Sequence, residues 1–288
     1  MGTPIGIAIF PGEQSIRPAH LARELESRGF ESMFVPDHTH IPVHRSVPWP
    51  LHGELPETYG WIADPFVAMA AAAAVTTTLK VGTGICLIPQ RDPIVTAKSV
   101  SSLDCFSEGR VIFGIGTGWN VEEMQNHGAD PAHKWPVMRE KMLAMKALWQ
   151  DEIASFCGEF VTITPSWCRP KPAQKPHPPI LIGAPANQRT FRHIAEYADG
   201  WIPIGDQPGY GYPGSDIGPG ITLLRQMWND AGRDPARLHI SVHGAVLNAE
   251  RMAYYDTLGV NRVVCYVPPA GAEVVLPLLD EYARLLSR

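Results

Sequence analysis

A chain of 288 residues, 45% apolar and 18% charged, has the make-up of a globular protein with a large core. Its formal net charge of −5 gives no electrostatic basis for nucleic-acid binding. The start, Met1-Gly2-Thr3-Pro4-Ile5, has no basic segment or long apolar run, and the longest apolar stretch, near Ala70–Val75, is far short of a membrane span. Neither a secretory signal nor a membrane passage is expected. Cys86, Cys105, Cys157, Cys168 and Cys265 are odd in number and lack a CxxC pair, so they read as free thiols in a reducing cytoplasm.

Ile5–Phe10 is apolar throughout, as a buried parallel strand should be, and a helix from Pro18 to Arg28 ends at Gly29. Ser32–Val35 is the second strand, followed by Pro36-Asp37-His38 and a long loop, His40–Asp64, rich in aromatic and His side chains. Asp64 caps a helix over Pro65–Thr76. Lys80–Cys86 is the third strand, Pro93–Ser107 a helix, Val111–Ile115 the fourth strand and Pro136–Gln150 an amphipathic helix. Residues 151–179 read as an insertion with a hairpin at Phe160–Thr164. Ile180–Ile182, Gly200–Ile204, His239–His243 and Asn261–Tyr266 are the remaining strands. Helices follow them over Gln188–Tyr197, Ile221–Ala231, Arg251–Leu258 and Glu273–Leu286, with a Gly/Pro/Tyr-rich loop at Asp206–Gly220.

Eight alternating βα units without a linker predict one domain over residues 1–288, a (β/α)8 TIM barrel with loop insertions at the C-terminal face. The other arrangement of such units is an open doubly wound sheet, but no GxGxxG follows the first strand. In a barrel the chemistry sits where strands exit. After the second strand, Asp37-His38 can form an acid/base pair, and His38-Thr39-His40 is an HxH that could bind zinc with His243 in a metal-dependent hydrolase. That reading lacks an acidic residue closing the eighth strand. After the third strand, Gly82 and Gly84 suit either a barrel corner or close approach to a ligand. After the fourth, Gly114-Ile115-Gly116-Thr117-Gly118-Trp119 offers a hydroxyl, a bare amide and an aromatic wall. After the fifth, Gly183-Ala184 leads into a helix N-terminus, which favours an anion.

In this order the motifs resemble the luciferase-like flavin and deazaflavin enzymes, above all the branch that uses coenzyme F420. The resemblance rests on Phe34-Val35-Pro36-Asp37-His38, Asp64-Pro65-Phe66-Val67-Ala68-Met69-Ala70, Val81-Gly82-Thr83-Gly84-Ile85, Gly109–Trp119 with Glu122-Glu123, Pro179–Ala184 and Ala198-Asp199-Gly200-Trp201. It implies a barrel with a flat ring in its mouth, His38 as acid/base with Asp37 orienting it, and a cis peptide at Gly84–Ile85 behind the ring. It also implies that Thr117, Gly118, Trp119 and Asn120 line the ribityl–phosphate part and that Gly183 and Ala184 take the phosphate end. Glu13 resembles an acidic residue placed near substrate by the sugar-phosphate dehydrogenases of the family. Those enzymes carry an acidic residue after the Gly-Thr-Gly, where this chain has Trp119, so a sugar-phosphate substrate is not expected. The activity implied is F420-dependent hydride transfer to or from a small organic substrate, with an F420-reducing enzyme as electron source. The alternative is an FMN-dependent monooxygenase fed by a flavin reductase. Apolar barrel helices such as Pro65–Val75 favour a homodimer, and Trp49, Tyr59 and Trp61 are expected to lid an apolar pocket.

Overall fold

Eight parallel strands close into a ring, because β-branched and apolar runs buried on both faces can satisfy their backbone only against one another. The computed structural model describes residues 2–49, 54–205 and 216–286. The strands are β1 (Ile5–Ala8), β2 (Ser32–Val35), β3 (Lys80–Thr83), β4 (Cys86–Leu87), β5 (Val111–Gly116), the hairpin β6 (Ala154–Cys157) and β7 (Thr162–Ser166), β8 (Ile180–Gly183), β9 (Gly200–Ile202), β10 (His239–His243) and β11 (Arg262–Tyr266). The order runs β3-β2-β1-β11-β10-β9-β8-β5, and β3 pairs with β5, Val81 opposite Val111, to close the barrel. The third predicted strand is thus two pieces: the chain steps out at Gly84–Ile85 and β4 resumes the pairing, Cys86 opposite Ile115.

The helices are α1 (Pro18–Ser27), α2 (Pro65–Ala73), α3 (Pro93–Phe106), α4 (Val121–Asn126), α5 (Lys134–Gln150), α6 (Gln188–Tyr197), α7 (Gly218–Asp230), α8 (Ala249–Thr257) and α9 (Ala272–Ala283). Asp64 caps α2 as expected, its Oδ1 accepting from the amides of Phe66 at 2.9 Å and Val67 at 3.2 Å. The short helix α4 follows the exit of β5 and carries Glu122 and Glu123. Ala8, Phe34, Ile112, Leu181, Ile202 and Val264 fill the barrel interior, one from each of six strands. The larger apolar cluster, with Leu21, Met69, Val100, Met142 and Ile194, lies between the strands and the helices.

Two glycines are explained by this packing. A Cβ on Gly114 would lie 2.0 Å from the Thr83 carbonyl oxygen, and one on Gly82 would lie 2.4 Å from Cε1 of Phe34. Both serve close strand approach within the barrel.

The long loop after β2 lies at the C-terminal face, as expected. Residues 151–179 lie at the opposite end, because they join a helix to the next strand. Gln174 there donates from Nε2 to Asp104 at 2.7 Å and to the Val111 carbonyl, at the start of β5, at 2.8 Å. The hairpin runs over residues 154–166 rather than Phe160–Thr164 alone, the predicted span covering the end of its turn and the start of β7, and the turn is held by Glu140, whose carboxylate accepts the amides of Glu159, Phe160 and Val161. Residues 206–215 of the Gly/Pro/Tyr-rich loop lie outside the described residues.

At the N-terminal end, Arg262 Nε and Nη2 grip Glu31 at 2.5 and 2.6 Å, and Lys80 joins at 2.8 Å. Burial pushes the Glu31 carboxyl up, but Arg262 and then Lys80 outweigh it and hold it down at about 2. A depressed carboxyl stabilises the fold above its unfolded pKa, and that contribution is lost as pH falls toward the folded value. Urea midpoints measured between about pH 5 and pH 3 are expected to fall more steeply in the wild type than in Glu31→Gln. Equal slopes would show that this pair does not set the acid limit.

Candidate active site

The strand exits of β1, β2, β5 and β11 bring His38, Trp119, Phe10 and Tyr266 to one end of the barrel, and the loop after β2 adds Tyr59. His38 is 8% exposed and Glu123 is fully buried. His38 Nδ1 lies 2.7 Å from Glu123 Oε2, and the other carboxylate oxygen accepts the Thr39 amide at 3.2 Å. An ionised carboxylate only accepts, so against one Nδ1 carries the proton and this pair leaves Nε2 unused. Among the described residues Nε2 has no hydrogen-bond partner.

Helix α4 positions this carboxylate. Asn120 caps it, its Oδ1 accepting the Glu123 amide at 3.3 Å. The same helix holds the loop after β2: Glu122 accepts the Ser46 amide at 2.7 Å, and Asn126 Nδ2 lies 2.9 Å from His40 Nε2. His127, just past the helix, reaches Thr39 Oγ1 at 2.6 Å.

Asp37 does not orient His38. Its carboxylate is 3% exposed and faces Arg91, which binds it through Nε and Nη2 at 2.7 Å each, while the Leu87 amide donates at 2.9 Å. Burial pushes the Asp37 carboxyl up, yet Arg91 and the Leu87 amide outweigh it and hold it below its ordinary value. Arg91 also reaches Asp64 at 3.1 Å, tying β2, β4 and the start of α2 together. Consecutive side chains of an extended segment point opposite ways, which separates the two neighbours. Cys86 is buried beside this pair; burial and then the Asp37 charge push its thiol well above the ordinary value, so it is no nucleophile.

Gly84–Ile85 is a cis peptide, as the resemblance implied. Ile85 is half-buried and seated between two glycines: a Cβ on Gly116 would lie 2.0 Å from its Cδ1, and one on Gly183 would lie 2.7 Å from its Cγ2. Gly84 itself lies against the buried His243, whose ring packs on Phe34 at 4.7 Å. Burial, then the Arg262 charge, lowers the His243 imidazole to about 3 and keeps it neutral. His40 bonds Thr39 and Asn126 instead of sharing a site with His38 and His243. Among the described residues no group of three or more His, Cys, Asp or Glu side chains is arranged to hold a metal ion.

Thr117, Gly118 and Trp119 line the exit of β5; Gly118 has φ of +77°, and its carbonyl accepts the Lys134 ammonium at 3.1 Å. Buried Asn120 Nδ2 is without a partner among the described residues. Gly183 and half-buried Ala184 line the exit of β8, the Ala184 carbonyl accepting Trp201 Nε1 at 2.9 Å. Glu13 is exposed in the turn after β1 and has no partner among the described residues. Trp61 is 44% exposed, and the aromatic of the loop after β2 that faces His38 is Tyr59, at 5.4 Å between ring centroids. The partners of His38 and Asp37 are thus Glu123 and Arg91, and the spacing of the motifs points to neither.

Among the described residues no helix is long and apolar enough to cross a membrane. The model of the family described as luciferase-like monooxygenase matches residues 12–257. The uncharacterized protein Rv0953c of Mycobacterium tuberculosis (strain H37Rv) is 38% identical over 287 residues, covering 98% of both chains. Monooxygenase RslO1 from Streptomyces bottropensis has the same fold, with a TM-score of 0.78 at 19% identity over 99% of this chain and 98% of that one. An F420-dependent secondary alcohol dehydrogenase in complex with an F420-acetone adduct matches with a TM-score of 0.75 at 18% identity, again over 99% and 98%. The barrel, the order of its motifs and the extent of the family match lead to one conclusion: this chain belongs to the luciferase-like monooxygenase family and is an oxidoreductase.

Proposed function

We propose that the protein is an F420-dependent oxidoreductase acting on a small organic substrate, with His38 as its acid/base. The observation that carries this reading is the buried His38–Glu123 pair at the strand exits, with Nδ1 committed and Nε2 left over. The site residues suit a flat ring with a phosphate-bearing tail. Ile85, fixed between Gly116 and Gly183, presents an apolar surface for the ring, and Asn120 Nδ2 is a buried donor without a partner among the described residues. Thr117, Gly118 and the Gly183-Ala184 end would hold the tail, with the N-terminus of α6 favouring its charge.

When bound, the deazaflavin supplies or accepts the hydride. The chain's residues do the rest. His38 gives a proton through Nε2, or takes it, at the substrate atom that changes charge. Glu123 stabilises the imidazolium and fixes the ring's tautomer. Trp119 and Tyr59 flank His38 and exclude water from it. Asp37, locked on Arg91, positions the backbone that leads into His38.

A fold neighbour that is a monooxygenase keeps the FMN-dependent alternative in play. Fluorescence titration with oxidised F420 and with FMN separates the two. Saturable F420 binding with weak or no FMN binding is expected; tight FMN binding with no F420 binding would overturn the cofactor reading.

A further inference from the structure

We infer that Thr39 and His127 are positioning residues: the Thr39 hydroxyl, held by His127, fixes the Glu123 carboxylate on His38. Its consequence for turnover rests on the acid/base reading of His38 above. Glu123 is buried, and its two oxygens are shared between consecutive residues. Oε2 meets His38 Nδ1 at 2.7 Å, and Oε1 accepts the Thr39 amide at 3.2 Å. A buried acceptor left without its donor is costly. Where residue 39 sits therefore decides how the carboxylate is turned toward His38.

Thr39 is exposed, and its side chain is what ties it down. Thr39 Oγ1 lies 2.6 Å from His127 Nε2 and 3.0 Å from His40 Nδ1, while Asn126 Nδ2 lies 2.9 Å from His40 Nε2. A neutral imidazole has one N–H and one acceptor nitrogen, and a hydroxyl has one hydrogen and two lone pairs. One direction satisfies every member. Asn126 donates to His40 Nε2, His40 Nδ1 donates to Thr39 Oγ1, and the Thr39 hydroxyl donates to His127 Nε2. The chain of bonds starts and ends at the C-terminal end of α4 and clasps residues 39 and 40 against it.

The make-up of α4 gives these contacts their weight. Residues 122, 123, 126 and 127 fall on one face at helical spacing, and each meets a residue between His38 and Ser46. Of the six residues of α4, Glu123 and Met124 are buried. An element so short, with so little apolar burial, depends on its polar contacts for its seat. Arg45, a cation of the same loop, binds the carbonyls of Pro42 and Val43 and does not replace Thr39 at Glu123.

The test reads the His38 ring directly. Imidazole nitrogen resonances of the full chain grown with isotope-labelled histidine report which nitrogen carries the proton, and His38→Asn assigns the His38 signals by their loss. Wild type is expected to hold mainly the Nδ1-protonated form. Thr39→Val keeps the branched shape and the backbone amide but removes the hydroxyl. It should lower the ratio of Nδ1- to Nε2-protonated His38 by about three- to tenfold, the worth of one hydrogen bond. Thr39→Ser restores a hydroxyl and should bring the ratio back to within about twofold of wild type. His127→Phe keeps a ring without Nε2 and should act as Thr39→Val does. Both positions are exposed, so thermal melts of the variants should lie close to the wild type. Should Thr39→Val fail to fold, His127→Phe decides alone. An unchanged ratio in both variants, or a lowered ratio that Thr39→Ser does not restore, would overturn the inference. A lowered ratio in Thr39→Val beside undiminished turnover in His38→Asn would sink the acid/base reading and leave the positioning role standing.

Discussion

His38→Asn is expected to lower kcat by about 10²- to 10⁴-fold, the range that a positioned proton donor contributes. Asparagine keeps a polar group of similar reach beside Glu123 but cannot carry a proton through the reaction. Cofactor affinity should change by only a few fold, because on the proposed reading Ile85 and the exits of β5 and β8, not His38, would hold the cofactor. The split matters: a fall in cofactor binding with kcat preserved would mean that His38 shapes the ring site and moves no proton. Single-turnover measurements of cofactor oxidation or reduction, beside the equilibrium titration, separate the two results. Glu123→Gln makes the companion test. It keeps a hydrogen-bonding side chain against Nδ1 and removes the charge that supports the imidazolium, so kcat should fall while the fold persists.

The largest loss of stability is expected from Arg91→Ala. Asp37 is 3% exposed, and its two oxygens accept both of its charged hydrogen bonds from Arg91. Removing the guanidinium leaves a buried carboxylate with the Leu87 amide and the Cys86 thiol but no charged partner, a change that costs about 3–5 kcal/mol. Asp37→Asn with Arg91→Met, which removes both charges together, should recover a large part of it. Urea denaturation of the three proteins at neutral pH checks this. A loss under about 1 kcal/mol in Arg91→Ala would show that water reaches Asp37 and that the pair is not the tie between β2, β4 and α2.

The pairings that distinguish these two residues were not readable from their spacing. Asp37 and His38 are neighbours in the chain, which suggested that one orients the other. In the folded protein Asp37 meets Arg91, 54 positions on, and His38 meets Glu123, 85 positions on. Alternation along an extended segment sends the two side chains apart, but it does not say what each will meet. Trp61 shows the same limit: it shares a short turn with Tyr59, and only the way that turn packs on Phe10 decides which ring faces His38. Glycines divide along similar lines. Gly82 and Gly114 are needed where β2, β3 and β5 crowd together, whereas Gly116 and Gly183 leave room for Ile85.

The sequence by itself determined the alternation of strands and helices, the helix starts at proline and capped by Asp64, the strand exits that carry polar and glycine residues, and the family likeness. These follow from local rules: apolar period, capping and turn chemistry act over a few residues. Tertiary structure decided which carboxylate holds His38, which cation holds Asp37, where residues 151–179 sit, and which aromatic rings lie beside His38. Those outcomes depend on closing β3 onto β5, a contact between distant segments that sets every strand exit against its neighbours at once.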